Sequence, residues 1–227
     1  MNNADDFIIE NGVLKEYKGQ GGDVVIPDSI TSIGYGALRA CRGLTSVAIP
    51  DGVTSISNGA FRECGGLTSI TIPDGVTSIG NYAFYGCESL TSVAIPDGVT
   101  SIGICAFEGC SSLTSITIPD GVTSIGDGAF ASCMGLADSD GFVIVRNVLY
   151  DYVGNGGDVV IPDGVTSIGN YAFYGCESLT SVAIPDSVTS IGDIAFMYCK
   201  NLKTVTIPHR FAQLFEDYKD LDIRYID

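Results

Sequence analysis

The chain has 227 residues, 45% of them hydrophobic, and a formal net charge of −16. No stretch approaches the ~18 consecutive apolar residues of a membrane span, so a spanning helix is not expected. No Lys or Arg occurs between Arg62 and Arg146, while Glu63, Asp74, Glu88, Asp97, Glu108, Asp120, Asp127, Asp138 and Asp140 all lie there; such an acidic middle repels a phosphate backbone and argues against a nucleic-acid partner.

The opening MNNADDFIIE carries acidic residues where a secretory signal has positive charge, so no signal peptide is expected in this chain. A cytoplasmic protein and a chain whose signal has been removed both fit that opening. The next segment, Phe7 to Pro27, places two apolar runs on either side of Asn11-Gly12. Asn-Gly takes the left-handed backbone of a two-residue turn easily, so a β-hairpin is predicted as an N-terminal cap over residues 1–26. An exposed parallel edge would otherwise template aggregation.

From there one sentence recurs. Pro27, Pro50, Pro73, Pro96 and Pro119 stand 23 residues apart, as do Pro162, Pro185 and Pro208. A period in the twenties signals a solenoid, because one such unit cannot bury its apolar face alone. In LTSVAIP, from Leu44, the alternation puts Val47 and Ile49 inward and Ser46 and Ala48 outward on a parallel strand. Pro50 lacks a donor and ends the strand, Asp51-Gly52 makes the turn, and Val53 and Ile56 begin a short return strand. Ala60, Phe61 and Cys64 then suit a single helical turn facing the core. Sheet segments are predicted at 45–50, 68–73, 91–96, 114–119, 158–162, 180–185 and 203–207. The core is predicted to hold Ile49, Phe61, Ile72, Phe84, Ile95, Phe107, Ile118, Phe130, Phe173 and Phe196.

Seven of the eight cysteines keep the same beat, at Cys41, Cys64, Cys87, Cys110, Cys133, Cys176 and Cys199. A residue locked to the core register reads as a small buried hydrophobe and not as a disulfide framework. Cys105 alone is off the beat and is predicted to be the exposed thiol.

The strand pattern L-x-x-[VI]-x-I resembles that of leucine-rich repeats. Its continuation, IPDGVTSIG-x-x-AF-x-x-C-x-x-L, resembles the BspA-like leucine-rich-repeat family over roughly residues 22 to 208. The resemblance implies a repeat solenoid with a parallel β-sheet, short return strands and single helical turns. It also implies a non-enzymatic scaffold of the type found in bacterial surface proteins, binding a protein or glycan at the cell surface or after secretion.

Between Pro119 and Pro162 the beat is interrupted by 20 extra residues. FVIVRNVLYDYVGNGGDVVIP, from Phe142 to Pro162, repeats the opening segment with Arg146-Asn147 at its turn. The organisation expected is a first repeat module over 27–139, an embedded hairpin over 140–161 and a second module over 162–208. A C-terminal cap over 209–227 follows, with Phe211, Leu214, Phe215 and Tyr218 at amphipathic-helix spacing and DIRYI as a last strand. Residues 72–97 and 161–186 are identical over 26 positions, solvent-facing ones included. The copies have not diverged to make different contacts, which suits a purely structural spacer as the alternative function.

Catalytic constellations are missing from the sequence. The one histidine, His209, has no nucleophile to serve, and no phosphate-cradling, zincin or C-x-x-C motif occurs. No enzyme activity and no cofactor are expected. The post-proline ladder Asp51, Asp74, Asp97 and Asp120 would repel itself unless each carboxylate accepts backbone N–H groups of the following Gly-Val-Thr step, or unless Ca²⁺ bridges the rungs. The first is preferred, and no metal is expected. The outward sheet strip Ser46, Ser69, Thr71, Ser92, Ser115 and Thr117 is the candidate binding surface for a protein or glycan, on a chain acting as a monomer. It lacks the Tyr, Trp and Arg that anchor binding hot spots. Those types gather on the opposite side, at Arg39, Arg42, Arg62, Tyr82, Tyr85 and Tyr198, beside Glu63, Ile104, Glu108, Ile194 and Met197.

Overall fold

Each repeat folds as a rung of two strands and one string of turns. The computed structural model describes residues 4–215 and 221–226, which fall into two units, Met1–Leu136 and Ala137–Asp227.

In the first unit, β1 (Phe7–Glu10) and β2 (Val13–Tyr17) form an antiparallel hairpin. Its turn residues Asn11 and Gly12 have φ of 50° and 77°, the mirror-image turn whose twist matches the flanking strands. The rungs follow as pairs of one longer and one return strand: β3 (Gly22–Val25) with β4 (Ser32–Ile33), β5 (Leu44–Ala48) with β6 (Ser55–Ile56), and β7 (Ser69–Thr71) with β8 (Ser78–Ile79). β9 (Ser92–Ala94) with β10 (Ser101–Ile102) and β11 (Ser115–Thr117) with β12 (Ser124–Ile125) complete the unit. The longer strands make a five-stranded parallel sheet from β3 to β11, and the return strands continue from the hairpin as a seven-stranded sheet. Leu14 of β2 pairs with Ile33 of β4, so the hairpin occupies the first edge of the return sheet.

The second unit repeats this plan. β13 (Phe142–Val145) and β14 (Val148–Tyr152) form its hairpin. The two rungs that follow are β15 (Gly157–Val160) with β16 (Ser167–Ile168) and β17 (Leu179–Ala183) with β18 (Ser190–Ile191). β19 (Thr204–Pro208) and β20 (Asp222–Ile226) extend the longer-strand sheet in parallel. This hairpin, expected to be embedded in the chain and to open the second module, is the first strand pair of the second unit. Arg146 and Asn147, with φ of 49° and 63°, adopt the same turn as Asn11-Gly12 despite a weaker sequence signal.

The third side of each rung differs from a helical turn. Its N–H groups alternate between two destinations. Ala37, Arg39 and Cys41 donate to carbonyls three residues back, whereas Gly36, Leu38 and Ala40 donate to Asn58, Ala60 and Arg62 of the next rung. Alternation requires left-handed residues in the string, and these are Gly36 and Ala40, then Gly59 and Glu63, then Tyr82 and Gly86. A helical turn would spend every N–H internally. The observed string instead supplies a third hydrogen-bonded ladder between rungs.

The core is a column of rings. Phe61, Phe84, Phe107 and Phe130 stack with centroids 5.2, 5.1 and 5.6 Å apart and planes within 9° of parallel. In the second unit Tyr152, Phe173, Phe196 and Phe215 form the corresponding column, spaced 5.3, 5.1 and 5.6 Å. Phe215 belongs to a 3-10 segment, His209–Phe215, that stands where an amphipathic helix was expected; Tyr218 lies outside the described residues. Of the predicted core, Ile118 is the exception and is only half-buried. It follows β11, the last strand of its sheet, and no further rung of that sheet covers it.

Candidate functional site

The predicted sheet strip exists as geometry. Parallel pairing aligns Ser46 with Ser69, Ser69 with Ser92 and Ser92 with Ser115, and in the neighbouring row Ala48 with Thr71 and Ala94 with Thr117. All are exposed except Ser46, which is half-buried. Its hydroxyl donates to Asp23 Oδ1 at 2.6 Å, and Thr45 Oγ1 reaches the same oxygen at 3.0 Å. These two bonds hold the Asp23 carboxyl below its ordinary pKa. Ser181 and Thr180 bond Asp158 in the same way in the second unit. The sequence reading missed this carboxylate at the head of each strip, although GGDVV is written twice. The strip otherwise offers small hydroxyls and methyls. The flanking Thr68, Thr91 and Thr114 hydroxyls bond the Thr carbonyl of the preceding rung, at 3.0, 3.3 and 3.2 Å, so they complete the ladder and do not face outward as donors.

Three candidate chemistries take definite form. The turn after each proline is closed by the proline carbonyl, which accepts from Val53, Val76 and Val99 N–H at 3.0 Å each. The exposed Asp51, Asp74 and Asp97 accept nothing from that step. The expected carboxylate-to-backbone turn is therefore replaced by an ordinary β-turn, which needs only a backbone acceptor. Among the described residues no three His, Cys, Asp or Glu side chains converge as a metal-binding group. His209 stacks flat on Tyr225 at 4.2 Å. The following Arg210 donates to Asp186 Oδ1 at 2.7 Å and to the Val188 carbonyl at 2.6 Å, which ties the terminal segment to the last Pro-Asp turn.

All eight cysteines are free. On the beat, the thiols after Cys41 donate to carbonyls about one rung before: Cys64 to Leu38 at 3.0 Å, Cys87 to Phe61 and Cys110 to Phe84 at 3.2 Å, Cys133 to Phe107 at 3.1 Å. This explains why a cysteine stands there and not an alanine: a small buried group that can also donate. Burial pushes the Cys64 thiol up to about 12 and those of Cys87 and Cys110 well above their ordinary value. Cys105 is a correction. It is 6% exposed and directs its sulfur at the Asp127 carbonyl, 3.7 Å away. Burial, then Glu108 beside it, raises its pKa to about 12. The most accessible thiols are instead Cys41, Cys176 and Cys199, all half-buried.

The turn face carries the residues with binding character. Arg62 lies over the Tyr85 ring at 4.9 Å and Tyr82 at 5.8 Å, while its Nε meets Glu63 Oε1 at 3.0 Å. Tyr82 and Tyr85 meet edge to face at 6.0 Å. In the second unit the identical pair Tyr171 and Tyr174 has the same geometry, and Tyr198 closes on Tyr174 at 5.3 Å. Tyr35, Tyr82, Tyr171, Tyr174, Met197 and Tyr198 are all exposed. Glu63, Tyr82 and Tyr198 hold left-handed backbone, with φ of 61°, 57° and 64°, at slots that other rungs fill with glycine. A groove of about 490 Å³ opens beside Arg62, lined by Arg42, Glu63, Gly65, Gly66, Tyr85, Gly86 and Glu88.

The family described as "BspA type Leucine rich repeat region" matches residues 9–137 and 144–218 in six copies. No curated protein sequence shows significant similarity to the chain. Among solved structures, a leucine-rich repeat protein from Bacteroides ovatus is 29% identical, with a TM-score of 0.57, over 97% of this chain and 76% of that one. The T. pallidum leucine-rich repeat protein is 26% identical, with a TM-score of 0.62, over 99% of this chain and 97% of that one. One from Eubacterium ventriosum, 23% identical with a TM-score of 0.62 over 94% and 78% of the two chains, shares the fold. No helix among the described residues is long and apolar enough to cross a membrane.

Proposed function

Because the chain belongs to the BspA-type leucine-rich-repeat family, we propose that it is a non-enzymatic binding scaffold that engages a protein or glycan at a bacterial surface. The observation that carries this reading is the split between its faces. The sheet strip is a field of Ser, Thr and Ala, while the turn face exposes Tyr82, Tyr171, Tyr174 and Tyr198 with Arg39 and Arg42, beside the half-buried Tyr85 and Arg62. Tyrosine and arginine are the types that dominate binding hot spots. Three of the turn-face side chains also sit on left-handed backbone that disfavours any side chain, and strain of that kind gathers at functional sites. The sheet strip, Ser46 through Thr117, serves as the rim or second contact surface of an extended ligand.

The 26-residue identity between the units favours a spacer as the competing reading. Glycan and protein arrays probed with the purified chain separate the two. A scaffold gives reproducible hits that weaken when Tyr85 and Tyr174 are both changed to Ala, with no turnover of any substrate. A chain that gives no hits is the spacer, and one that turns over a substrate, with activity lost on changing His209, is an enzyme.

A further inference from the structure

The groove beside Arg62 has features that point to one class of ligand. Its lining carries both signs of charge, yet the charges do not close on one another. Glu63 is held by Arg62, whereas the side chains of Arg42 and Glu88, at opposite ends of the lining sequence, have no partner among the described residues. An anion would meet Glu63 and Glu88, and a cation would meet Arg42 and Arg62. A neutral polyhydroxyl ligand suits both, because neighbouring hydroxyls accept from a guanidinium and donate to a carboxylate. The wall is a tyrosine whose ring is fixed by the Arg62 guanidinium at 4.9 Å. The floor is glycine: a Cβ on Gly66 would stand 2.4 Å from the Arg42 carbonyl oxygen, and Gly65 has open space above it. Gly66 thus lets neighbouring rungs close on each other, and a flat ring can approach the backbone at Gly65, which a side chain there would prevent. The volume of about 490 Å³ lies in the range of small-ligand sites.

We propose that this groove binds a neutral saccharide, a short stretch of a glycan chain laid against Tyr85 and hydrogen-bonded by Arg42 and Glu88. The proposal rests on the scaffold reading above and gives that scaffold a located site. The second unit supplies an internal control. Its Tyr171, Tyr174, Gly175 and Glu177 repeat Tyr82, Tyr85, Gly86 and Glu88, but Glu177 is closed by an ion pair with Lys200, and the rung bearing Arg62 and Glu63 has no counterpart before it. The same tyrosines without the open Arg and Glu define what the groove adds.

The test is a titration of the ¹⁵N-labelled full chain, followed by amide chemical shifts, with tetrasaccharides of glucose, mannose and N-acetylglucosamine and with the zwitterion glycylglycine. At least one tetrasaccharide is expected to shift the Gly65, Gly66 and Gly86 amides saturably and equally at low and high salt. Arg42→Ala and Tyr85→Ala are expected to weaken it by at least about tenfold, the loss of one good contact, while Lys15→Ala, at an exposed position on the hairpin, leaves it unchanged. Glu88→Ala, at an exposed position, is a further probe should either variant fail to give a native spectrum. Shifts from glycylglycine alone that vanish at high salt overturn the saccharide in favour of a zwitterion. Saccharide shifts confined to sheet amides such as Ser69 and Ser92 remove the groove while leaving the scaffold standing. No response to any probe removes the groove, and array hits then decide the scaffold separately.

Discussion

Removing one ring from the aromatic column tests the packing logic of the fold. Phe107 is fully buried, with Phe84 at 5.1 Å on one side and Phe130 at 5.6 Å on the other. Burying a Phe side chain contributes ~1.5–3 kcal/mol through transfer from water, and each ring contact adds ~0.5–1.5 kcal/mol. Phe107→Ala should therefore cost about 3–5 kcal/mol, the range found for buried aromatic truncations. Phe61 stacks on one ring only, Phe84, because Leu38 fills the slot a rung earlier. Phe61→Ala should cost about 1 kcal/mol less, and Ser92→Ala on the exposed strip should stay within ~0.5 kcal/mol. Urea unfolding followed by circular dichroism reads all three as midpoint shifts. The slopes must be compared as well, because a repeat array can lose cooperativity when a middle rung fails. Equal losses for Phe107→Ala and Ser92→Ala would mean that the inward and outward registers are reversed.

Four further outcomes are expected. With Ellman's reagent under native conditions the half-buried Cys41, Cys176 and Cys199 should react ahead of Cys105 and the rest, and all eight thiols only after unfolding; early labelling of Cys105 would refute its burial. The same thiols set an alkaline limit: their pKa values are raised from 9.0 to about 12 for Cys64 and Cys105, so the unfolded chain loses its protons first. That stability is whole below pH ~9 and declines as pH rises towards ~12, which a falling melting temperature over that window would show. Ca²⁺ or EDTA should leave the melting temperature unchanged, since 100-fold excess over Kd at one native site would add ~2.7 kcal/mol and be plainly visible. Ala40→Gly should stabilise by up to ~1 kcal/mol, because Ala40 has a φ of 58° and left-handed backbone costs a Cβ-bearing residue ~1–2 kcal/mol, partly offset by the entropy of glycine; destabilisation in urea would count against strain at that slot.

Much of the fold is legible because the repeat writes the same physics many times. The I-P step marks strand ends, and the A-F step marks rings that stack. Where the sequence reading departs from the structure, the missing information lies between rungs. A helical turn and the observed turn string share one inward pattern at Ala60, Phe61 and Cys64; only the destination of alternate N–H groups separates them. Asp51 reads as a turn-capping carboxylate until the Pro50 carbonyl is seen to close the turn. Cys105 reads as surface because its slot is variable, but a left-handed residue there tucks its side chain against Glu108 and the Asp127 carbonyl. Ile118 repeats Ile95 in sequence and differs only in having no rung of its sheet beyond it.

The candidate site follows the opposite logic. A repeated residue is one that every rung needs, so repetition encodes the core and the ladders: Phe in the column, Thr hydroxyls on carbonyls, Cys thiols on the rung before. Residues that bind must break the repeat, and on the turn face they do. One slot runs Arg39, Arg62, Tyr85, Glu108, and another runs Ala40, Glu63, Gly86, Gly109. That variation points to the face but not to the site, because a groove is made by side chains from different rungs. Arg42 and Glu88 are 46 residues apart, two full periods, and only stacking brings them to one opening. The identical tyrosine pairs make the point from the other direction. Tyr85 and Tyr174 stand in identical sequence, yet one adjoins an open Arg42 and Glu88 and the other a Glu177 already closed by Lys200. In a solenoid the specificity of a rung resides in its neighbours.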